Sequence, residues 1–69
     1  MKVFINNSGV SVFKGATLMD AVHSYSGRTA RLLKSGYFSI FDRFGNLTET
    51  DGPVAEGQHF FIKLSNQKK

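Results

Sequence analysis

The chain is predicted to fold as one α+β layer, with helix packed on one face of a small sheet. Three observations lead there. Apolar residues alternate with period two near both ends of the chain, as half-buried strands require. A capped helix start interrupts that alternation near Thr17. The length, 69 residues, leaves room for one domain and one core.

Lys2 to Asn6 and Val10 to Lys14 read as two strands joined by Asn7-Ser8-Gly9. Gly9 takes the left-handed conformation that closes a three-residue hairpin loop. Alternation puts Val3, Ile5, Val10 and Val12 on one face, and Lys2, Phe4, Asn6, Ser11 and Phe13 on the other. Gly15-Ala16 releases the strand. Thr17 is a good N-cap, and Asp20 three residues later completes a Thr-x-x-Asp capping box. Leu18, Ala21, Val22 and Tyr25 follow at helical spacing, and Ser24, Ser26 and Gly27 end that helix.

Arg28 to Lys34 reads either as a second short helix or as a continuation after a break, stopped at Gly36 as the C′ residue. Tyr37 to Asp42 returns to strand, and Arg43 to Asn46 is a turn. Leu47 to Glu49 is a candidate short strand, Asp51-Gly52-Pro53 a breaker, and Ala55-Glu56-Gly57 a second turn. His59 to Leu64 is the last strand, with Phe60, Ile62 and Leu64 on its inner face. The expected core adds Leu18, Ala21, Val22, Leu32 or Leu33, Phe38 and Ile40 to the inner residues of the strands. Residues 1–64 form the domain, and 65–69 a flexible polar tail.

A core of this size supports on the order of 3–5 kcal/mol of net stability. With no cysteine, the chain has no disulfide, thiolate metal site or thiol nucleophile. No run approaches the roughly 18 apolar residues of a membrane span, and the apolar start is too short for a signal-peptide core. A cytoplasmic location, without membrane contact, is the expectation. The formal charge of +4 keeps nucleic acid among the possible partners without arguing for it.

The order hairpin, helix, strand, short strand, final strand resembles that of the β-grasp, or ubiquitin-like, fold. Lys14-Gly15-Ala16-Thr17-Leu18-Met19-Asp20-Ala21 is similar to the G-x-T-L-x-D segment of ThiS/MoaD-type sulfur carriers. Ferredoxin-like and TGS-type β-grasp domains share that wording. Val54-Ala55-Glu56-Gly57-Gln58 before an apolar strand is similar to the L-x-x-G-D ending of those families, with Gln58 where Asp is usual. The resemblance covers residues 2 to 64 and implies a mixed four- to five-stranded sheet with one main helix on one face. Two departures bear on chemistry. Sulfur carriers of this type end in Gly-Gly, which is adenylated and thiocarboxylated, whereas the last glycine here is Gly57. Ferredoxins hold their cluster with four cysteines, and here there are none.

No cofactor, metal set or catalytic constellation is expected. His23 and His59 stand apart, and the acidic residues Asp42, Glu49, Asp51 and Glu56 lie in or beside turns, where backbone chemistry favours them. The main candidate is the outer sheet face. Phe4, Phe13, Tyr37, Phe41 and Phe61 all fall there by alternation, five of the nine aromatics (seven Phe, two Tyr). Rimmed by Lys2, His59 and Lys63, such a face suits a protein partner or self-association. In β-grasp families this open face commonly meets the partner. The competing reading is that turns, the tail or a slipped register cover the rings.

Arg28, Arg31 and Lys34, spaced i, i+3, i+6, fall within about a third of a helix circumference. They form a candidate phosphate or RNA contact, to which the TGS-type resemblance adds weight. The alternative is the solvated face of a short helix. The sequence therefore predicts a non-enzymatic binding module for a protein partner. Its alternatives are an RNA-binding module, or a relative of sulfur carriers that has lost its reactive tail.

Overall fold

The computed structural model describes residues 1–65. Six elements follow in order: β1 (Lys2–Ile5), β2 (Ser8–Ser11), α1 (Leu18–Tyr25), α2 (Gly27–Lys34), β3 (Phe38–Asp42) and β4 (His59–Leu64). The strands form one mixed sheet in the order β2-β1-β4-β3. The central pair β1 and β4 is parallel, and both outer pairs are antiparallel.

The hairpin closes one residue earlier than the sequence suggests. Ile5 pairs with Ser8, so the loop is Asn6-Asn7 rather than Asn7-Ser8-Gly9. Both asparagines have positive φ, 51° and 70°. That pattern is the two-residue primed turn, whose twist matches the strands it joins, and Asn tolerates it better than other non-glycine residues. Gly9 lies inside β2, opposite Phe4. The ladder continues past β2 through reciprocal 2.8 Å bonds between Met1 and Val12. Asn7→Gly removes the remaining left-handed strain and is expected to raise stability by on the order of 0.5 kcal/mol. The urea midpoint, read by far-UV circular dichroism, checks this.

The start of α1 has a partner for each early N–H. The Asp20 N–H donates to Thr17 Oγ1 at 3.2 Å, and the Thr17 N–H to Asp20 Oδ2 at 3.0 Å, completing the capping box. The Leu18 and Met19 N–H groups donate to the carbonyls of Gly52 and Thr50, at 3.0 and 2.9 Å. The breaker segment thus satisfies donors that a helix leaves open. Val54 is drawn in as well, its N–H donating to Ala16 O at 3.0 Å.

Two helices of equal length cover the sheet, where one main helix was expected. Ser26 divides them: its extended backbone ends α1, and its side chain accepts from the Thr29 N–H at 3.2 Å to cap α2. Gly36 (φ 91°) ends α2. The Tyr37 N–H reaches Leu32 O at 3.0 Å and the Gly36 N–H reaches Leu33 O at 3.2 Å. This paired arrangement is the Schellman motif.

Leu47 to Glu49 does not form a strand. Its pairing with β3 is a single bridge, Phe41 to Leu47, before the chain leaves to meet α1. The sheet has four strands, not five.

Val3, Ile5, Val10, Val12, Leu18, Ala21, Val22, Ile40 and Phe60 are buried as expected. Ala16, Ala30 and Val54 join them unforeseen. Leu33 and Ile62 pack at the margin of that core, and Leu32 and Phe38 are half-buried. Leu64, expected inside, is 63% exposed because it pairs with Phe38 at the sheet's end. Ser65 is tied back by its N–H to Tyr37 O at 2.9 Å and its hydroxyl to Ser39 at 2.8 Å. The rest of the expected tail, 66–69, lies outside the described residues. No helix among the described residues is long and apolar enough to cross a membrane.

A candidate interaction face on the sheet

The helices cover the face carrying Val3, Ile5, Val10, Ile40 and Phe60. Alternation sends their neighbours outward. Phe4 comes from β1, His59, Phe61 and Lys63 from β4, and Phe41 from β3. Pairing register places them side by side. Phe4 is opposite His59 across the parallel pair, and Phe41 is opposite Phe61 across the antiparallel one. A one-residue slip in either strand would break this row.

The rings take defined geometry. Phe4 and His59 stack with centroids 4.5 Å apart and planes 8° from parallel. The Lys63 ammonium sits 5.9 Å from the centroid of Phe41, at the limit of cation–π attraction. Phe4, His59, Phe41 and Phe61 are each half-buried. Each is therefore partly covered while presenting surface to solvent. A shallow groove of about 250 Å³ runs by Phe41 and Phe61, with Arg43 and Lys63 at its sides.

The turn beside this groove is held by Asp42. Its Oδ1 accepts the N–H groups of Phe44 and Asn46, both at 2.9 Å. The bond from the Asn46 backbone, with help from Phe44 and Gly45, holds the Asp42 carboxyl below its ordinary value. Asp42 is thus a structural acceptor for the Arg43–Asn46 turn, which supplies Arg43 to the rim.

Two of the five expected aromatics stand outside the row. Phe13 lies beyond β2, 67% exposed, in the turn where its carbonyl accepts from the Ala16 N–H. Tyr37 precedes β3, 55% exposed, with an edge-on contact to Phe38. Phe13 lies beyond the Met1–Val12 end of the sheet, and Tyr37 sits at the other, beside Ser65. The row is therefore Phe4, His59, Phe61 and Phe41. Arg43, at the rim of the groove, is a residue that sequence patterning missed, since a turn residue carries no face assignment.

Arg28, Arg31 and Lys34 are all exposed on α2, and none forms an ion pair among the described residues. They belong to the helix layer, on the side of the sheet away from the aromatic row. The two candidate surfaces are separate. His23 is exposed on α1, and the described residues contain no group of three or more His, Asp or Glu side chains placed to hold a metal ion. No family model, curated protein or solved structure matches the chain.

Proposed function

We propose that this chain is a non-catalytic binding module of β-grasp type that contacts a protein partner through the outer face of its sheet. The observation that carries the reading is the row of Phe4, His59, Phe61 and Phe41 across three adjacent strands. The solvent face of a sheet that helices cover on the other side only is ordinarily polar. A contiguous aromatic row flanked by Lys2, Arg43 and Lys63 instead has the make-up of an interface centre with a charged rim. The β-grasp assignment is supported by a parallel central pair flanked by an amino-terminal hairpin, with the helices on one face.

Replacing both Phe4 and Phe61 by serine tests the reading. The tagged wild-type chain and the double variant are each used to capture proteins from the native host. The partner retained by wild type is expected to lose at least about 30-fold in affinity for the variant, the effect of one interface hot spot. The variant should keep its far-UV spectrum. Equal capture by both chains refutes the proposal, as does a variant that no longer folds, since the rings would then be core.

A second reading, RNA binding through Arg28, Arg31 and Lys34, is favoured by their shared exposure without carboxylate partners. It requires affinity that falls steeply with salt.

A further inference from the structure

We infer that the outer face of the sheet also binds single-stranded nucleic acid, its rings stacking on bases and its cations meeting phosphates. This adds a second ligand to the face assigned above to a protein partner, and it stands whether or not that partner exists. Where both are present, each excludes the other.

Charge on that face is of one sign. The outward positions of the four strands hold Lys2 and Lys63 and no acidic residue, and Arg43 follows where β3 ends. Two carboxylates stand at the border, and both serve the backbone. Asp42 accepts from the Phe44 and Asn46 N–H groups, and Glu56 from the Lys2 N–H at 2.9 Å.

Cations and rings are interleaved. Lys2 precedes Phe4, Arg43 follows Phe41 and Lys63 follows Phe61, each two residues away. Two such residues on one strand face are about 7 Å apart, close to one step of an extended nucleotide chain. The Lys2 side chain lies along Gly9, the residue opposite Phe4, with its Nζ 3.5 Å from where a Gly9 Cβ would stand. Lys63 Nζ sits 5.9 Å from the Phe41 centroid. Arg43 and Lys63 flank the groove of about 250 Å³ beside Phe41 and Phe61. Every phenylalanine of the row thus has a cation beside it.

This combination selects the ligand. An acidic peptide meets the cations and leaves the rings without planar partners. A duplex offers phosphates but keeps its base faces inside its own stack. A single strand offers both, a π-face from every base and a phosphate at every step. The parallel Phe4–His59 stack, with centroids 4.5 Å apart, is the contact that a base extends. Adjacent strands lie about 4.8 Å apart, so a row across three of them is about 10 Å long. That length takes about two or three bases, as other sheet platforms with exposed aromatics do. Stacking tolerates any base, and neither stacking nor phosphate contact uses the 2′-hydroxyl. RNA and DNA strands should therefore bind alike. The net charge of +4 favours the encounter.

The test follows the fluorescence anisotropy of a labelled oligo(dT) decamer titrated with the full chain, beside oligo(U) and a duplex of equal length. Both single strands are expected to bind, and the duplex more weakly. Three phosphate contacts, at a slope of about −0.7 each, predict about 20-fold weaker binding at about 200 mM salt than at about 50 mM. Arg43→Gln should lower that slope by about 0.7. Phe41→Leu keeps apolar bulk and removes the π-face. It should weaken binding at least about fivefold with an unchanged far-UV spectrum. If Phe41→Leu fails to fold, the Arg43→Gln slope still decides. No binding at the lower salt overturns the inference and leaves the protein contact to its own test. Duplex binding as tight as that of the single strand, or equal displacement by a glutamate decamer, shows attraction by charge alone and also overturns it. So does binding that is lost in Arg28→Gln/Arg31→Gln and kept in Phe41→Leu, which places the contact on α2.

Discussion

Leu18→Ala is expected to unfold a large share of the population at 25 °C. Leu18 is 1% exposed and is the first residue of α1, where the helix meets both the sheet and the segment around Gly52. Truncating a buried leucine costs about 2–5 kcal/mol, the transfer loss plus the cavity left behind. A single-core scaffold of this size holds about 3–5 kcal/mol in total. The loss is therefore comparable to the whole reserve. Its neighbours also resist collapse into the gap, because the Leu18 and Met19 N–H groups are tied to Gly52 and Thr50 carbonyls. Thr17→Ala, by contrast, removes one cap, worth about 1 kcal/mol, and should leave a folded protein. Urea titrations of the two variants separate these outcomes. A Leu18→Ala midpoint at or above that of Thr17→Ala would show that α1 is not anchored as described.

The parts of this fold that were legible in the sequence are the local ones. The Thr17–Asp20 capping box is decided by residues three apart, and both of its bonds are present. Strand alternation likewise assigned Val3, Ile5, Val10 and Val12 to the buried side. It did so although the hairpin loop was misplaced. Moving the turn from Asn7-Ser8-Gly9 to Asn6-Asn7 changes where β2 begins but not which of its residues share parity. Gly9 is the stronger turn former in isolation, and so local sequence points to the wrong loop. Two adjacent asparagines fit the primed turn that strand twist favours.

What the sequence did not show depends on partners distant along the chain. Val54 and Ala16 are buried because a loop bonds back onto the helix start, and no periodicity marks either residue. Ser26 was read as an end and is also a beginning, since its hydroxyl caps α2. The aromatic face shows the same division. Parity placed Phe4, Phe41 and Phe61 on the correct side, but parity says nothing about position along a strand. Only the β1–β4 and β3–β4 registers bring those three together and leave Phe13 and Tyr37 at the ends. Leu64 failed as a core residue for a related reason: it faces inward, but where the sheet extends past its cover.

Two neighbouring residues turn the assignment of faces into a sharp expectation. Phe60 and Phe61 are adjacent in β4, identical in chemistry and opposite in direction. Phe60 is 5% exposed and pairs with Ile5 across the parallel ladder, inside the core. Phe61 is half-buried beside Phe41 on the outer face. Phe60→Ala should cost about 3–5 kcal/mol and leave a large share of the chain unfolded. Phe61→Ala surrenders only part of that burial, about 1 kcal/mol at the usual area coefficient, and should stay folded. The order of the two effects reverses for association. If the outer row is the interface, Phe61→Ala abolishes partner capture from a folded chain, whereas Phe60→Ala loses it only in proportion to unfolding. Denaturant midpoints and capture measured on the same two samples give both readings. Should Phe61→Ala prove the more destabilising, the β4 register is shifted by one residue and the row belongs to the core. Should it fold and still retain the partner, the interface lies elsewhere on the molecule.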